Sequence, residues 1–97
     1  TNAVVMPAVL RLNRPAIEGR IARAAAYLGI DGGFDGFFDH VMAMRESLGV
    51  PDRLGVMGVG TDRIDELVAM ALEDPSAGGN PVPMTADNTH ALYRATI

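Results

Sequence analysis

Residues 2–12, Asn-Ala-Val-Val-Met-Pro-Ala-Val-Leu-Arg-Leu, are apolar on almost every side, and this run constrains the fold more than any other stretch. A helix that is hydrophobic all round belongs in the middle of a large core or in a membrane. The run is too short to span a bilayer, so a core helix is expected. Yet the chain has 97 residues, room for one small domain that buries roughly 60–65% of the surface its unfolded form exposes. Such a domain has little material to surround an all-apolar helix, which suggests that more protein packs around it. Pro7 is expected to bend or interrupt the helix, because a mid-helix proline removes one backbone bond and crowds the preceding turn.

The rest of the chain reads as helices joined by short loops. Pro15 sits where a first-turn proline is welcome, and Ile17, Ile21, Ala24, Ala25 and Leu28 follow at helical spacing, giving a predicted helix over 15–28 that Gly29 stops. Asp31-Gly32-Gly33 makes a turn, and Phe34, Phe37, Phe38, Val41, Met44, Arg45 and Leu48 mark the next helix, ended by Gly49 and Pro51. Residues 51–60 form a glycine-rich loop with one helical turn at Pro51–Leu54. Thr61 is the expected N-cap of a helix whose stripe is Ile64, Leu67, Val68, Ala71 and Leu72, with Asp62, Asp65 and Glu66 favourable to its dipole. Residues 75–83 carry three prolines and two glycines and are expected as loop. Thr85 caps a last helix through about Thr96. No strand or internal repeat is visible. The expected fold is all-α, with four to five helices.

Composition supports helices and excludes several functions. Hydrophobic residues make up 48% of the chain and aromatics only 5%, with six Met, so Ala, Val, Leu and Met supply the bulk. The net charge is −4 and no lysine is present, which leaves no basic stripe for nucleic acid. Without cysteine there is no disulfide or thiolate site. That suits a reducing cytosol; a cytoplasmic location and no membrane contact are expected, with no signal peptide visible.

No complete catalytic set emerges from the residues themselves. Gly55-Val-Met-Gly-Val-Gly60 has the wrong spacing for a dinucleotide or phosphate loop and no strand before it. His40 and His90, the two histidines, stand outside any spacing that puts two ligands on one helical face. Each is expected as a surface or half-buried residue. Glu73 and Asp74 lie at a helix end, where carboxylates gain nothing from the dipole; a positional or functional reason stands beside the default of a solvated end. The scattered methionines fit core filling better than a binding groove.

Four stretches, in order, resemble the C-terminal part of the iron-containing alcohol dehydrogenases. Thr1-Asn2-Ala3-Val4-Val5-Met6-Pro7 through Leu12-Asn13 is similar to the segment after the family's last metal-binding histidine. Ala24 to Gly29 resembles an "Ala-x-x-Leu-Gly" helix end. Leu48-Gly49-Val50-Pro51, with Arg53-Leu54 and Gly58-Val59, resembles a "Leu-Gly-Leu-Pro … Leu … Gly-Val" passage. Asn80-Pro81, then Thr85, Asp87 and Leu92-Tyr93, resembles the closing "Asn-Pro-Arg … Thr … Asp … Leu-Tyr" pattern, with Val82 in place of the arginine.

The resemblance implies that residues 1–97 are the C-terminal segment of an incomplete helical domain, cut from a longer enzyme by design or proteolysis. The parent would transfer hydride between an alcohol and NAD(P), with Fe²⁺ or Zn²⁺ polarising the oxygen as a Lewis acid. The family's one Asp and three His ligands, and its dinucleotide-binding domain, should lie upstream of Thr1. This chain would then hold no catalytic, cofactor-binding or metal residue and be inactive alone. Its first helix would support the last histidine, and Ser76 and Asn80 would line the active-site cleft unless they merely form a turn between helices. The implied partners are the missing N-terminal portion and a second copy, docked through exposed apolar surface. A rival reading is a free-standing helical interaction module that docks through its apolar first helix. A third, a small metalloenzyme, requires His40 and His90 to meet.

Overall fold

The computed structural model describes residues 2–97; Thr1, the first residue of the family-like run, lies outside them. Four α-helices are present among the described residues, α1 (Asn2–Tyr27), α2 (Gly33–Ser47), α3 (Ile64–Glu73) and α4 (Ala86–Thr96), and no strand. Tight 3₁₀ turns fill the connections at Leu54–Met57, Thr61–Arg63 and Pro75–Gly79. No helix among these residues is long and apolar enough to cross a membrane. The all-α expectation holds.

The opening segment departs from expectation. One helix of 26 residues runs through both Pro7 and Pro15, where a break and a restart were expected. At 1.5 Å per residue it is about 39 Å long, which accounts for the 41 Å longest dimension of a molecule only 18 Å thin. Two prolines inside a helix strand two carbonyls, each belonging to the residue four positions back. For Pro15 that carbonyl is Arg11's, on an exposed stretch that solvent can reach. For Pro7 it is Ala3's, and Pro7 is buried.

Arg45 resolves the buried case. Its Nε donates to the Ala3 carbonyl at 2.9 Å, and its Nη2 donates to the Val4 carbonyl at 3.1 Å and reaches the Pro51 carbonyl at 3.4 Å. The Arg45 residue is only 7% exposed and its bond to the Ala3 carbonyl is part-buried, so water has restricted access to that group. The guanidinium supplies the donor that the proline ring lacks, and helix α1 continues. Hydrogen bonds from an ionised donor are stronger than neutral ones, and an unmet buried carbonyl is costly. The same side chain fastens the start of α1 to the end of α2.

Helices α1 and α2 form an antiparallel hairpin. Further along it, Arg11 lies 4.6 Å over the Phe38 ring and Arg14 4.6 Å over Phe34, with Arg14 also paired to Asp35 and Glu18 at 2.9 Å each. Both helices stop in the same way. Ile30 N–H bonds the Ala25 carbonyl (2.8 Å) and Gly29 N–H the Ala26 carbonyl (3.1 Å); Val50 and Gly49 repeat this on Arg45 and Glu46. Gly29 and Gly49 sit at φ 77° and 71°, the left-handed turn that such a helix end requires and that glycine adopts without strain.

Three smaller expectations need correction. Thr61 does not cap a helix: residues Thr61–Arg63 form a 3₁₀ turn in which the Ile64 N–H is taken by the Thr61 carbonyl, and α3 begins at Ile64. The backbone satisfies the donor that the Thr61 side chain was expected to meet. The turn expected at Pro51–Leu54 forms at Leu54–Met57. Pro75–Gly79, expected as loop, is a 3₁₀ turn that Asp74 caps by accepting from the Ser76 N–H. Thr85 does cap α4. Asn88 N–H donates to Thr85 Oγ1 (3.2 Å) and Thr85 N–H to Asn88 Oδ1 (2.8 Å), a reciprocal capping box.

The core is thin. Val4, Ala25, Phe34, Leu54, Ile64 and Val68 are its buried apolar residues, whereas Tyr27 is 91% exposed, Leu48 and Val56 each 72% and Met70 60%. Replacing Arg45 with Met should destabilise the fold by about 2 kcal/mol, the cost of losing the donor to the part-buried Ala3 carbonyl and the tie between the two helices. In a Pro7→Ala background, which restores the backbone N–H, the same replacement should cost about 1 kcal/mol less. Denaturant midpoints of the four proteins in the cycle test this; strict additivity would refute the clamp.

Candidate functional site

Helices α1, α3 and α4 do not close on one another. A cavity of about 280 Å³ lies between them, lined by Val5 and Val9 of α1, Leu54, Ala71 of α3, and Leu92 and Thr96 of α4. It adjoins a wider one of about 460 Å³, and the two share Ala71 and Leu92 as well as Asn2, Val9, Met84, Thr89 and Tyr93. The result is one cleft with an apolar inner end and a polar outer end, where Asp74, Ser76 and Asn80 stand. Helix α4 is laid across α1 to make it, and α3 supplies the opposite wall.

The polar end is built by local chemistry. Asp74 follows the last turn of α3, and Pro75 turns the chain so that Ser76 faces back on it. Asp74 Oδ1 accepts from the Ser76 amide at 2.8 Å and from the Ser76 hydroxyl. Those two bonds, the hydroxyl first, hold the Asp74 carboxyl below the usual carboxylate range, because they favour its charged form. Ser76 Oγ keeps its acceptor capacity, as a hydroxyl can accept while donating.

Asn80 is held differently. Asn13 Nδ2 donates to Asn80 Oδ1 at 2.8 Å, and Asn80 Nδ2 donates to Asn13 Oδ1 at 2.7 Å and to the Val82 carbonyl at 2.8 Å. Asn13 is 5% exposed. Two facing amides therefore satisfy one another in a nearly dry site and tie the loop after Pro75–Gly79 to the middle of α1. Buried amides without such partners would be costly. Ser76 and Asn80 thus lie on one cleft. Asn80 forms its frame, and Ser76 with Asp74 forms its polar lip.

The histidines lie apart from this cleft. His40 is exposed on α2. His90, on α4, has Nε2 3.4 Å from Asp65 Oδ1 of α3 and lines a separate cavity with Asp87 and Arg94. No group of three His, Asp or Glu side chains able to hold a metal ion is present among the described residues. The third reading, a metalloenzyme built on the two histidines, is not supported. The glycines of 55–60 follow no strand among the described residues, and Leu54–Met57 is a 3₁₀ turn; a dinucleotide cradle does not fit there. The donor set of the described residues therefore fits neither a resident metal nor a nicotinamide cofactor.

Comparison with known proteins places these helices. The model of the Fe-containing alcohol dehydrogenase family, C-terminal, matches residues 1–97. The chain belongs to the iron-containing alcohol dehydrogenase family. It is similar to a 4-hydroxybutyrate dehydrogenase of Cupriavidus necator, 39% identical over 100 residues that cover 99% of this chain and 26% of the relative. It is also similar to a lactaldehyde reductase of Escherichia coli (strain K12), 27% identical over 99 residues, 95% of this chain and 26% of the relative. The chain thus spans about a quarter of these relatives' length. No solved structure matches it.

Sequence patterns could not reveal Asn13, whose partner lies 67 positions away. Asp74 carried a faint signal, a carboxylate at the wrong end of a helix followed by Pro-Ser. Removing the Ser76 hydroxyl by Ser76→Ala should move the Asp74 midpoint upward, with the backbone bond keeping it below an unperturbed carboxyl. Because the folded-state value is depressed, the turn's contribution is present above the unfolded midpoint. It is lost as pH falls through the lower folded one. A carboxyl-carbon NMR titration of both proteins checks this; identical midpoints would show that the hydroxyl plays no part.

Proposed function

We propose that these residues are the C-terminal part of the helical domain of a longer iron-containing alcohol dehydrogenase, and that the cleft forms one wall of its alcohol site. The observation that carries the reading is the family match over the whole chain joined to the quarter coverage of its relatives. An active member of this family needs a divalent metal, Fe²⁺ or Zn²⁺, to polarise the alcohol oxygen, and NAD(P) to take the hydride. On this reading the upstream portion holds both groups, and residues 1–97 are inactive alone.

What this chain contributes is position. Val5, Val9 and Leu92 offer an apolar surface for a short carbon chain. The Asn13–Asn80 pair fixes the loop that follows the Asp74–Ser76 lip, so the lip need not reorganise when a substrate arrives. The exposed Tyr27, Leu48, Val56 and Met70 provide surface on which the upstream portion and a second copy of the enzyme dock. Absence of cysteine suits a cytoplasmic enzyme.

Calorimetric titration with Fe²⁺ or Zn²⁺ and with NAD(H), paired with an alcohol oxidation assay, separates the longer protein from the 97-residue chain. The longer form should bind both and turn over alcohols, and the short chain should do neither. Tight metal binding by the short chain would overturn the reading and favour a small metalloprotein.

A further inference from the structure

The cleft has a charge asymmetry that bears on which alcohols it accepts. The charged side chain on its lining is the Asp74 carboxylate, and no arginine or histidine lines it. Four of the eight arginines are placed away from it. Arg14 pairs with Asp35 and Glu18, Arg63 with Glu66, and Arg45 serves main-chain carbonyls. Arg94 lines the other cavity, beside Asp65 and His90. Lysine is absent from the chain. A second, independent source adds to the same sign. Helix α3 ends at Glu73, immediately before Asp74, so the negative end of its dipole faces the polar lip.

From this arrangement we propose that the cleft selects uncharged alcohols and aldehydes against hydroxy acids, with Asp74 as the specificity-determining residue. The inference rests on the cleft being a wall of the alcohol site. A neutral substrate lays its carbon chain along Val5, Val9 and Leu92, and a terminal hydroxyl at the lip can donate to Asp74 or Ser76. A carboxylate in the same place meets a like charge, and this wall lines the cleft with no cation to offset it, which disfavours binding. The substrate preference would then differ from the one that the name 4-hydroxybutyrate dehydrogenase states for the relative from Cupriavidus necator.

The test uses the full-length protein, loaded with Fe²⁺ and NAD⁺, on two substrates of equal length, butane-1,4-diol and 4-hydroxybutyrate. The diol should be favoured in kcat/KM by about tenfold or more, and the margin should shrink at high salt as like-charge repulsion is screened. Asp74→Asn should narrow the ratio by about fivefold, mainly through KM for the acid, since its amide oxygen can still accept from Ser76. Ala77→Arg, which puts a cation on the same lining, should narrow it as well. The ratio is internal to each variant, so partial loss of fold lowers both substrates alike. Equal use of the two substrates by the unmodified enzyme, or a ratio unmoved by both substitutions, would overturn the inference while leaving the dehydrogenase reading intact. Turnover of neither substrate would remove that reading and this inference with it.

Discussion

A buried guanidinium set against the carbonyl that Pro7 strands is the interaction on which the rest of the molecule depends. A proline inside a buried helix presents a choice between breaking the helix and finding another donor. Arg45 is that donor, and it comes from a different helix. Helix α1 therefore stays continuous over 26 residues, and its first turns are pinned to the end of α2. No carboxylate pairs with Arg45 among the described residues. The guanidinium is held by three main-chain carbonyls and the Met42 sulfur, and of these the Ala3 carbonyl is the one that Pro7 leaves without a helix donor.

The second tie, Asn13 with Asn80, works on the same helix further along. Between them the two ties fix α1 at its start and near its middle, and Val5 and Val9 between those points line the cleft shared with α4. Both ties are polar, buried and long-range, and both set position rather than supply chemistry. That division suits a chain that carries a family's C-terminal quarter. The chain spans about a quarter of its relatives' length and leaves Tyr27, Leu48, Val56 and Met70 exposed.

Legibility in the sequence followed interaction range. The 3.6-residue periodicity over Phe34–Leu48 and Ile64–Leu72, the glycine stops at Gly29 and Gly49, and the Thr85 cap were all visible, because each depends on residues within a turn or two. Pro7 and Pro15 misled for the same reason. Local rules say that a proline ends a helix, and the compensation for Pro7 comes from Arg45, 42 positions away from the carbonyl it meets. Thr61 shows a local rule losing to another local one, since a 3₁₀ bond from the backbone took the donor its side chain would have capped. Of the candidate site, Ser76 and Asn80 were reached only through family resemblance. The residues that shape their surroundings, Asp74 and Asn13, became apparent once the fold set α1 beside the loop before α4.

The most direct test of the cleft's role is hydrogen exchange in the full-length protein with NAD⁺ bound, with and without a saturating alcohol. Amides of residues 76–80 and of the first turns of α1 should gain protection when the alcohol is present. Unchanged exchange in both segments, with protection appearing only upstream, would show that the alcohol binds elsewhere and that this cleft is a packing surface.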